Sequence, residues 1–132
     1  MFCVLDLADA YTQLRLDHAS QDLMVFNTHK GLYGFKNLIY GVASAPSIFQ
    51  NTMDIILHDI PKTCCYLDDV LIQGSNFEEC LLSNVHKVLT RFNKFNVKLR
   101  AEKYTWFSES VEYLGHIISK HGRSPSTRLS DK

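Results

Sequence analysis

The sequence lacks any pair of cysteines with the C-x-x-C spacing of a zinc or redox site, although four cysteines are present among 132 residues. It also lacks the run of about 18 apolar residues that a membrane-spanning helix requires. No basic residues precede the apolar segment at the N-terminus, so the pattern of a secretory signal is missing. Internal repeats and low-complexity segments are absent as well. These absences predict an intracellular protein without a membrane partner, whose cysteines stay reduced.

The composition is that of a folded domain rather than a disordered tail. Apolar residues make up 45% of the chain and charged residues 21%. A single domain of this length buries roughly two-thirds of the surface that its unfolded chain exposes.

Charge is distributed unevenly along a chain whose net charge is zero. Residues 1–84 carry 4 basic and 10 acidic side chains, a charge of −6, and residues 85–132 carry 10 basic and 4 acidic, a charge of +6. One interpretation is that Lys87, Arg91, Lys94 and Lys98 form the solvated face of a helix and its exit. The other is a basic surface for phosphates beside an acidic region for cations.

The spacing of apolar residues predicts an alternation of strands and helices. The predicted strands are residues 2–7, 13–16, 64–67, 70–72, 97–99 and 111–118, and a hairpin joins 23–26 to 32–33 around Gly31. The predicted helices run from Pro46 to about His58 and from a capping box at residues 75–78 to Asn96. This order predicts an α+β fold, in which two helices pack on one face of an antiparallel sheet.

Three carboxylates occupy positions where the surrounding pattern calls for apolar residues. Asp6 interrupts the first strand, and Asp68 and Asp69 separate two apolar runs. They are either turn and strand-end residues or ligands of divalent cations. Two such ions about 3.5–4 Å apart could stabilise both oxygens of a phosphoryl displacement. Spacing alone does not say whether residues 6 and 68 meet.

Four segments together closely resemble the palm of reverse transcriptases from gypsy-type LTR retrotransposons. They are residues 4–11 (VLDLADAY), 41–50 (GVASAPSIFQ), 66–71 (YLDDVL) and 113–116 (YLGH). A Tyr-x-Asp-Asp hairpin alone is a weak signal, whereas four segments in this order over nearly the whole chain are a strong one. The resemblance implies a palm over residues 1–122 without most of its fingers, followed by a tail over 123–132 that leads towards an absent thumb. The polar composition from Gly122 onwards, which includes Pro125, separately predicts that this tail frays.

By this resemblance, Asp6 and Asp68 would bind two Mg²⁺ ions, with Mn²⁺ as a possible substitute, and Asp69 would complete the acidic cluster. Lys103 would give a proton to the leaving pyrophosphate, unless it is simply an exposed lysine. The residues implied to lie around the incoming nucleotide are Leu7, Ala8, Tyr11, Tyr40 and Gly41. The ring of Tyr11 would exclude a 2′-hydroxyl, although a core tyrosine is the competing interpretation.

The resemblance further implies residues that hold the primer and template: Gln50, Tyr66, Leu67, Leu114, Gly115 and His116. His116 could equally be a structural histidine. The family usually has Leu-Pro-Phe-Gly where this chain has Leu-Ile-Tyr-Gly at residues 38–41, which puts nucleotide binding in question.

The implied activity is that of an RNA-directed DNA polymerase, which adds deoxynucleoside triphosphates to a primer on an RNA or DNA template. Its other partners would be the fingers, thumb, ribonuclease H and integrase parts of a Pol polyprotein, in a cytoplasmic virus-like particle. We expect the isolated chain to be weakly active or inactive. The alternatives are a non-catalytic retrotransposon remnant that binds nucleic acid weakly and another palm-like enzyme such as a nucleotide cyclase.

Overall fold

The computed structural model describes residues 1–126, and its strands lie in three antiparallel sheets. The strands are β1 (Phe2–Asp6), β2 (Val25–Thr28), β3 (Gly31–Gly34), β4 (Thr63–Tyr66), β5 (Asp69–Gln73), β6 (Thr105–Ser108), β7 (Ser110–Tyr113), β8 (His116–Ser119) and β9 (Gly122–Pro125). The central sheet has the order β4-β5-β1-β6, β2 pairs with β3, and β7, β8 and β9 form the third sheet.

The helices are α1 (His18–Leu23), α2 (Ala45–Leu57) and α3 (His86–Lys94). A π-helical segment, Glu79–Val85, runs directly into α3, and short 3₁₀ turns occupy Ala10–Gln13 and Ala101–Lys103. Within residues 1–126, every helix is too short or too polar to span a bilayer.

The main core lies between the central sheet and the two long helical segments. Because side chains alternate along a strand, Cys3 and Leu5 of β1 point to the same face of the sheet. The apolar stripes of α2 and of the π-helical segment with α3 cover that face. The buried core residues are Cys3, Leu5, Leu7, Ala10, Phe49, Met53, Ile56, Leu57, Ile60, Val70, Ile72, Cys80, Val85, Val88 and Phe92. The predicted α+β fold with two helices on one face is confirmed.

The opposite face of the central sheet packs against the third sheet. Phe2 and Leu71 on the central sheet form a smaller buried cluster with Val111 and Tyr113 of β7. Since Asp6 alternates in phase with Phe2, its side chain lies on this second face, away from the helices. The alternation of β1 therefore separates the main core from the acidic side chain at the end of the strand.

Several local predictions differ from the structure. Residues 97–99 make a single bridge between Leu7 and Leu99 rather than a strand, and the chain after β1 turns through the 3₁₀ segment before one bridge at Arg15. The capping box is displaced by one residue, because Asn76, and not Ser75, accepts the N–H of Glu79.

The polar end of the chain also differs from the expectation of fraying. Residues Gly122–Pro125 form β9, which pairs with β8 in register from Gly122 opposite Ser119 to Pro125 opposite His116. Backbone hydrogen bonds to β8 thus order a segment whose side chains gave no strand pattern. The rest of the predicted tail, residues 127–132, lies outside the described residues.

Candidate active site

The predicted acidic residues meet at one end of the β1–β5 pair. The antiparallel register sets Asp6 directly opposite Asp69. The N–H of Leu7 then donates to the carbonyl oxygen of Asp68 at 2.8 Å, which fixes the hairpin turn against the end of β1. Asp68 is exposed in the turn, whereas Asp69 is half-buried as the first residue of β5. The fold therefore brings Asp6 next to Asp68 and Asp69, which lie far from it in the sequence.

Asp6 is largely buried and is incompletely paired. Its side chain is 15% exposed, and its Oδ1 atom is buried without a hydrogen-bond partner. Lys103 Nζ lies 3.6 Å from Oδ2, and Arg100 Nη1 lies 3.9 Å from Oδ1. Both cations attract the carboxylate but stand beyond hydrogen-bond distance. A buried oxygen in this state can accept a further cation or donor.

The pKa of Asp69 is raised above its ordinary value. Burial is the largest cause, and the negative charges of Asp68 and Asp6 add to it, while Lys103 acts in the opposite direction. Desolvation and like charges both disfavour the ionised form of a carboxyl group. The raised pKa therefore reflects the burial of Asp69 first and the neighbouring negative charges second.

The turn between β4 and β5 is held by the side-chain amide of Gln50 in α2. Its Oε1 accepts the N–H of Leu67 at 2.9 Å, and its Nε2 donates to the carbonyl of Cys65, also at 2.9 Å. Leu67 has a positive φ of 52°, an unusual conformation for a residue with a branched side chain. Gln50 thus fixes the turn that presents Asp68. Tyr66, the last residue of β4 before this turn, is exposed.

The backbone that follows Asp6 is tied to the segment after α3. Leu7 donates to Asp68 as described, Ala8 N–H donates to the carbonyl of Lys98 at 3.0 Å, and Arg100 N–H donates to the carbonyl of Asp6 at 2.9 Å. The N–H groups of Leu7 and Ala8 are consequently engaged within the protein. Any contact of this backbone with a nucleotide would use other atoms.

Tyr11 lies between a buried and an exposed aromatic ring. Its ring centroid is 5.5 Å from that of Phe49, which belongs to the core, and 4.7 Å from that of Tyr40, which is largely exposed. Both interpretations of Tyr11, core residue and gate, are compatible with this position. Gly41 follows with a φ of 92°, a conformation that favours glycine, and no atom would obstruct a side chain there.

The β7–β8 hairpin reaches the same end of the sheet. Leu114 and Gly115 form its turn with φ values of 50° and 74°, which suits a tight two-residue turn. The hydroxyl of Tyr113 donates to the carbonyl of Asp69 at 3.3 Å, and His116 Nδ1 lies 3.0 Å from the carbonyl oxygen of Leu114. The hairpin predicted to contact the primer therefore adjoins the carboxylates, and the ring of His116 has a local structural contact.

Two residues at the site were missed by the sequence interpretation. Arg100 reaches both Asp6 and Asp9, and Tyr113 links two hairpins. Tyr113 belongs to the YLGH segment and could have been singled out there. Nothing in the sequence around Arg100 indicates that it meets a residue so far away along the chain.

The carboxylates have the chemistry of a divalent-cation site without forming a ready-made cage. Within residues 1–126, no three His, Cys, Asp or Glu side chains are arranged to hold a metal ion together. The buried Oδ1 of Asp6 nevertheless has no hydrogen-bond partner within this range, and neither Lys103 nor Arg100 comes within hydrogen-bond distance of Asp6. Carboxylate oxygens are the ligands that Mg²⁺ prefers. The residues present therefore fit a magnesium site.

Comparison with solved structures defines the class of fold. A foamy viral protease–reverse transcriptase, solved in complex with double-stranded DNA, superposes with a TM-score of 0.88 at 21% identity, over 98% of this chain and 23% of that one. This similarity shows that the chain has a reverse transcriptase fold.

The sequence itself identifies the family. The model of the reverse transcriptase (RNA-dependent DNA polymerase) family matches residues 1–118, and the chain belongs to that family. The family is described as one of RNA-dependent DNA polymerases, and it generally depends on divalent metal ions. The predicted identity is confirmed.

Curated relatives are Pol polyproteins of LTR retrotransposons. The retrovirus-related Pol polyprotein from transposon gypsy of Drosophila melanogaster is 38% identical over 92% of this chain. That from transposon 412 of the same organism is 33% identical over 98% of the chain. The chain spans only 12% and 11% of these two polyproteins, about a tenth of their length.

Proposed function

We propose that the Asp6–Asp69 end of the β1–β5 pair is a polymerase active site that extends a primer by template-directed nucleotidyl transfer. The single observation that carries this proposal is the register of Asp6 opposite Asp69, with Asp6 Oδ1 buried and unpartnered beside the exposed Asp68. A purely structural carboxylate would normally be hydrogen-bonded at this depth. The oxygen is therefore better explained as a ligand.

Asp6 and Asp68 would hold two Mg²⁺ ions, or Mn²⁺ in their place, and Asp69 would contribute the remaining negative charge. When bound, the ions supply Lewis-acid stabilisation of the attacking and leaving oxygens at the α-phosphate. Lys103 is within 3.6 Å of Asp6 and could give its proton to the departing pyrophosphate. The chain's own contribution is mainly positioning and charge.

The remaining residues around the site would orient the substrates. Tyr11 and Tyr40 would bound the sugar of a deoxynucleoside triphosphate, with the turn at Gly41 beside them, and Leu7 and Ala8 would lie near its phosphates. The primer end would contact Tyr66 and Leu67, and the turn formed by Leu114, Gly115 and His116 would hold the primer strand. Gln50 would act by fixing the Leu67 turn rather than by reaching the template. Template, primer and other polyprotein domains would complete the enzyme.

The test is primer extension on an RNA template with Mg²⁺. Because the chain covers about a tenth of its relatives, we would insert it in place of the matching segment of the gypsy polyprotein and compare this chimera with the chain alone. We expect the chimera to extend the primer and the chain alone to show no robust extension. Asp68→Asn in the chimera should lower the rate by at least about a hundredfold, because a metal ligand contributes several kcal/mol.

The control is a substitution of a carboxylate outside the site. Asp59, which pairs with Arg91 at 2.8 Å on the helical side, serves this purpose, and Asp59→Asn should leave extension unchanged. Full extension by Asp68→Asn would overturn the proposal. A folded chimera without extension would instead favour a non-catalytic remnant.

A second test concerns the sugar. If Tyr11 excludes the 2′-hydroxyl by its ring, Tyr11→Val in the chimera should raise incorporation of ribonucleotides relative to deoxynucleotides by about tenfold or more. Tyr11→Phe keeps the ring and its contact with Phe49, so it should discriminate as the unmodified protein does. Unchanged discrimination in Tyr11→Val would leave Tyr11 as a core residue only.

A further inference from the structure

Arg100 is fixed beside the acidic end of β1 by its own backbone. Its N–H donates to the carbonyl of Asp6 at 2.9 Å, and the preceding residue, Leu99, bridges to Leu7. The position of the Arg100 backbone is therefore determined by the central sheet. Its side chain is 39% exposed and extends from this anchor towards the carboxylates.

The guanidinium of Arg100 lies close to two carboxylates but is hydrogen-bonded to neither. Nη1 lies 3.9 Å from Asp6 Oδ1, and Nη2 lies 3.7 Å from Asp9 Oδ1. Both distances exceed those of a hydrogen bond. Arg91 provides the contrast within the same chain, since its guanidinium donates to the Ile56 carbonyl and to Asp59, both at 2.8 Å. Arg91 is a structural arginine, whereas the Arg100 guanidinium makes no hydrogen bond to any of residues 1–126.

The surroundings of Arg100 are those of the proposed nucleotide site. Its positive charge opposes a rise in the pKa of Tyr40 that is caused first by desolvation and then by Asp68 and Asp9. The guanidinium therefore lies within electrostatic range of this phenol, as do Asp68 and Asp9. The N–H groups of Leu7 and Ala8 that border it are already bonded within the protein. The negative charge of a triphosphate there would have to be met by side chains.

We propose that Arg100 binds the triphosphate group of the incoming deoxynucleoside triphosphate, a role that rests on the polymerase function proposed above. The planar fork of a guanidinium matches two phosphate oxygens at once, which a lysine does not. Asp6 and Asp9 hold the fork at long range and leave its donors free for the ligand. Lys103 Nζ lies 3.6 Å from Asp6 Oδ2, so the two cations approach different oxygens of this carboxylate.

The experiment measures binding by the full 132-residue chain, without primer extension. The probe is a fluorescent deoxyadenosine triphosphate, displaced by unlabelled dATP, dAMP or deoxyadenosine, in the presence of Mg²⁺ and in EDTA. We expect the chain to prefer dATP over deoxyadenosine in both buffers. Arg100→Gln should weaken binding of dATP about tenfold, the size of a lost charge-assisted contact, and should leave competition by deoxyadenosine unchanged.

Two variants separate specific binding from general charge. Arg100→Lys keeps the charge without the fork and should recover only part of the affinity for dATP. Lys120→Gln removes one positive charge from the exposed turn between β8 and β9 and should have no effect. Urea unfolding of each variant shows the folded fraction, so that a merely structural role of Arg100 would appear as lost stability with an intact preference for dATP.

Equal preference for dATP over deoxyadenosine in Arg100→Gln would overturn the proposal, and so would a chain that binds dATP no better than deoxyadenosine. Failure of the polymerase proposal has a different signature, because the chimera would then lack extension that depends on Asp68, whatever the result for Arg100. The two proposals can therefore fail separately.

Discussion

The carboxyl groups at the two ends of the β1–β5 pair lie in opposite electrostatic environments. At the end where Phe2 faces Gln73, Glu79 accepts hydrogen bonds from Lys62 and from the N–H of Ser75, each at 2.7 Å. These bonds, that of Lys62 first, lower the pKa of Glu79 to about 2. At the other end, burial and like charge raise the pKa of Asp69, and Asp6 Oδ1 has no hydrogen-bond partner.

The difference shows where the fold uses charge for its own stability and where it does not. Asn76 accepts the N–H of Glu79, and the Glu79 carboxylate accepts the N–H of Ser75, so both side chains satisfy backbone N–H groups at the start of the helical segment. The carboxylates at the other end satisfy no helix terminus and repel one another. Their arrangement costs stability in the protein by itself, which is typical of a site built to bind something else.

Among the variants that test this difference, Gln50→Ala is expected to have the largest effect on stability and on primer extension. Gln50→Ala leaves the N–H of Leu67 and the carbonyl of Cys65 without their partner, at a cost of about 1–3 kcal/mol in the free energy of unfolding. The Asp68 turn would also lose its fixed position, so extension by the chimera should fall by about a hundredfold. Urea unfolding and primer extension measure the two effects.

Gln21 supplies the matched control because its amide also bonds a backbone carbonyl, that of Leu16, at 2.8 Å. Gln21→Ala should cost about 1 kcal/mol of stability and leave extension by the folded chimera intact. Equal losses of extension in the two variants would mean that stability, and not the position of the turn, is responsible.

The sequence was sufficient for the parts of the fold that follow from local patterns. A short apolar run predicts β1, the apolar stripe after Pro46 predicts α2, and Gly31 marks a hairpin turn. The Tyr-x-Asp-Asp hairpin was also predicted, although its turn is centred on Leu67 and Asp68, and Asp69 already belongs to β5. Each of these signals lies within a few neighbouring residues.

The rest depends on contacts between distant parts of the chain. The proximity of Arg100 to Asp6 follows from how the segment after α3 lies along β1, which no local pattern encodes. The hydrogen bonds of Gln50 to the Leu67 turn likewise require α2 to be packed on the sheet. The strand β9 depends on pairing with β8, since its own side chains lack the alternation of a half-buried strand.

The smallest expected effect concerns how folding stability depends on pH. The carboxyl groups at the two ends of the β1–β5 pair should change stability in opposite directions. The raised pKa of Asp69 means that the folded protein keeps a proton that the unfolded chain has already lost. Stability therefore falls as the pH rises from the ordinary value of 3.8 through the raised pKa. Asp69→Asn should unfold at a higher urea concentration than the unmodified chain at pH 7, and this gain should vanish at about pH 3.

Glu79 is the matched control at the opposite end of the strands. Its folded pKa of about 2 lies below the ordinary value of 4.5, so its stabilisation is present above pH 4.5 and is lost as the pH falls towards 2. Glu79→Gln should therefore unfold at a lower urea concentration than the unmodified chain at pH 7, with the difference shrinking in acid. If Asp69→Asn also destabilised the chain at pH 7, the Asp69 carboxylate would be a structural partner like Glu79, and the contrast between the two ends would be wrong.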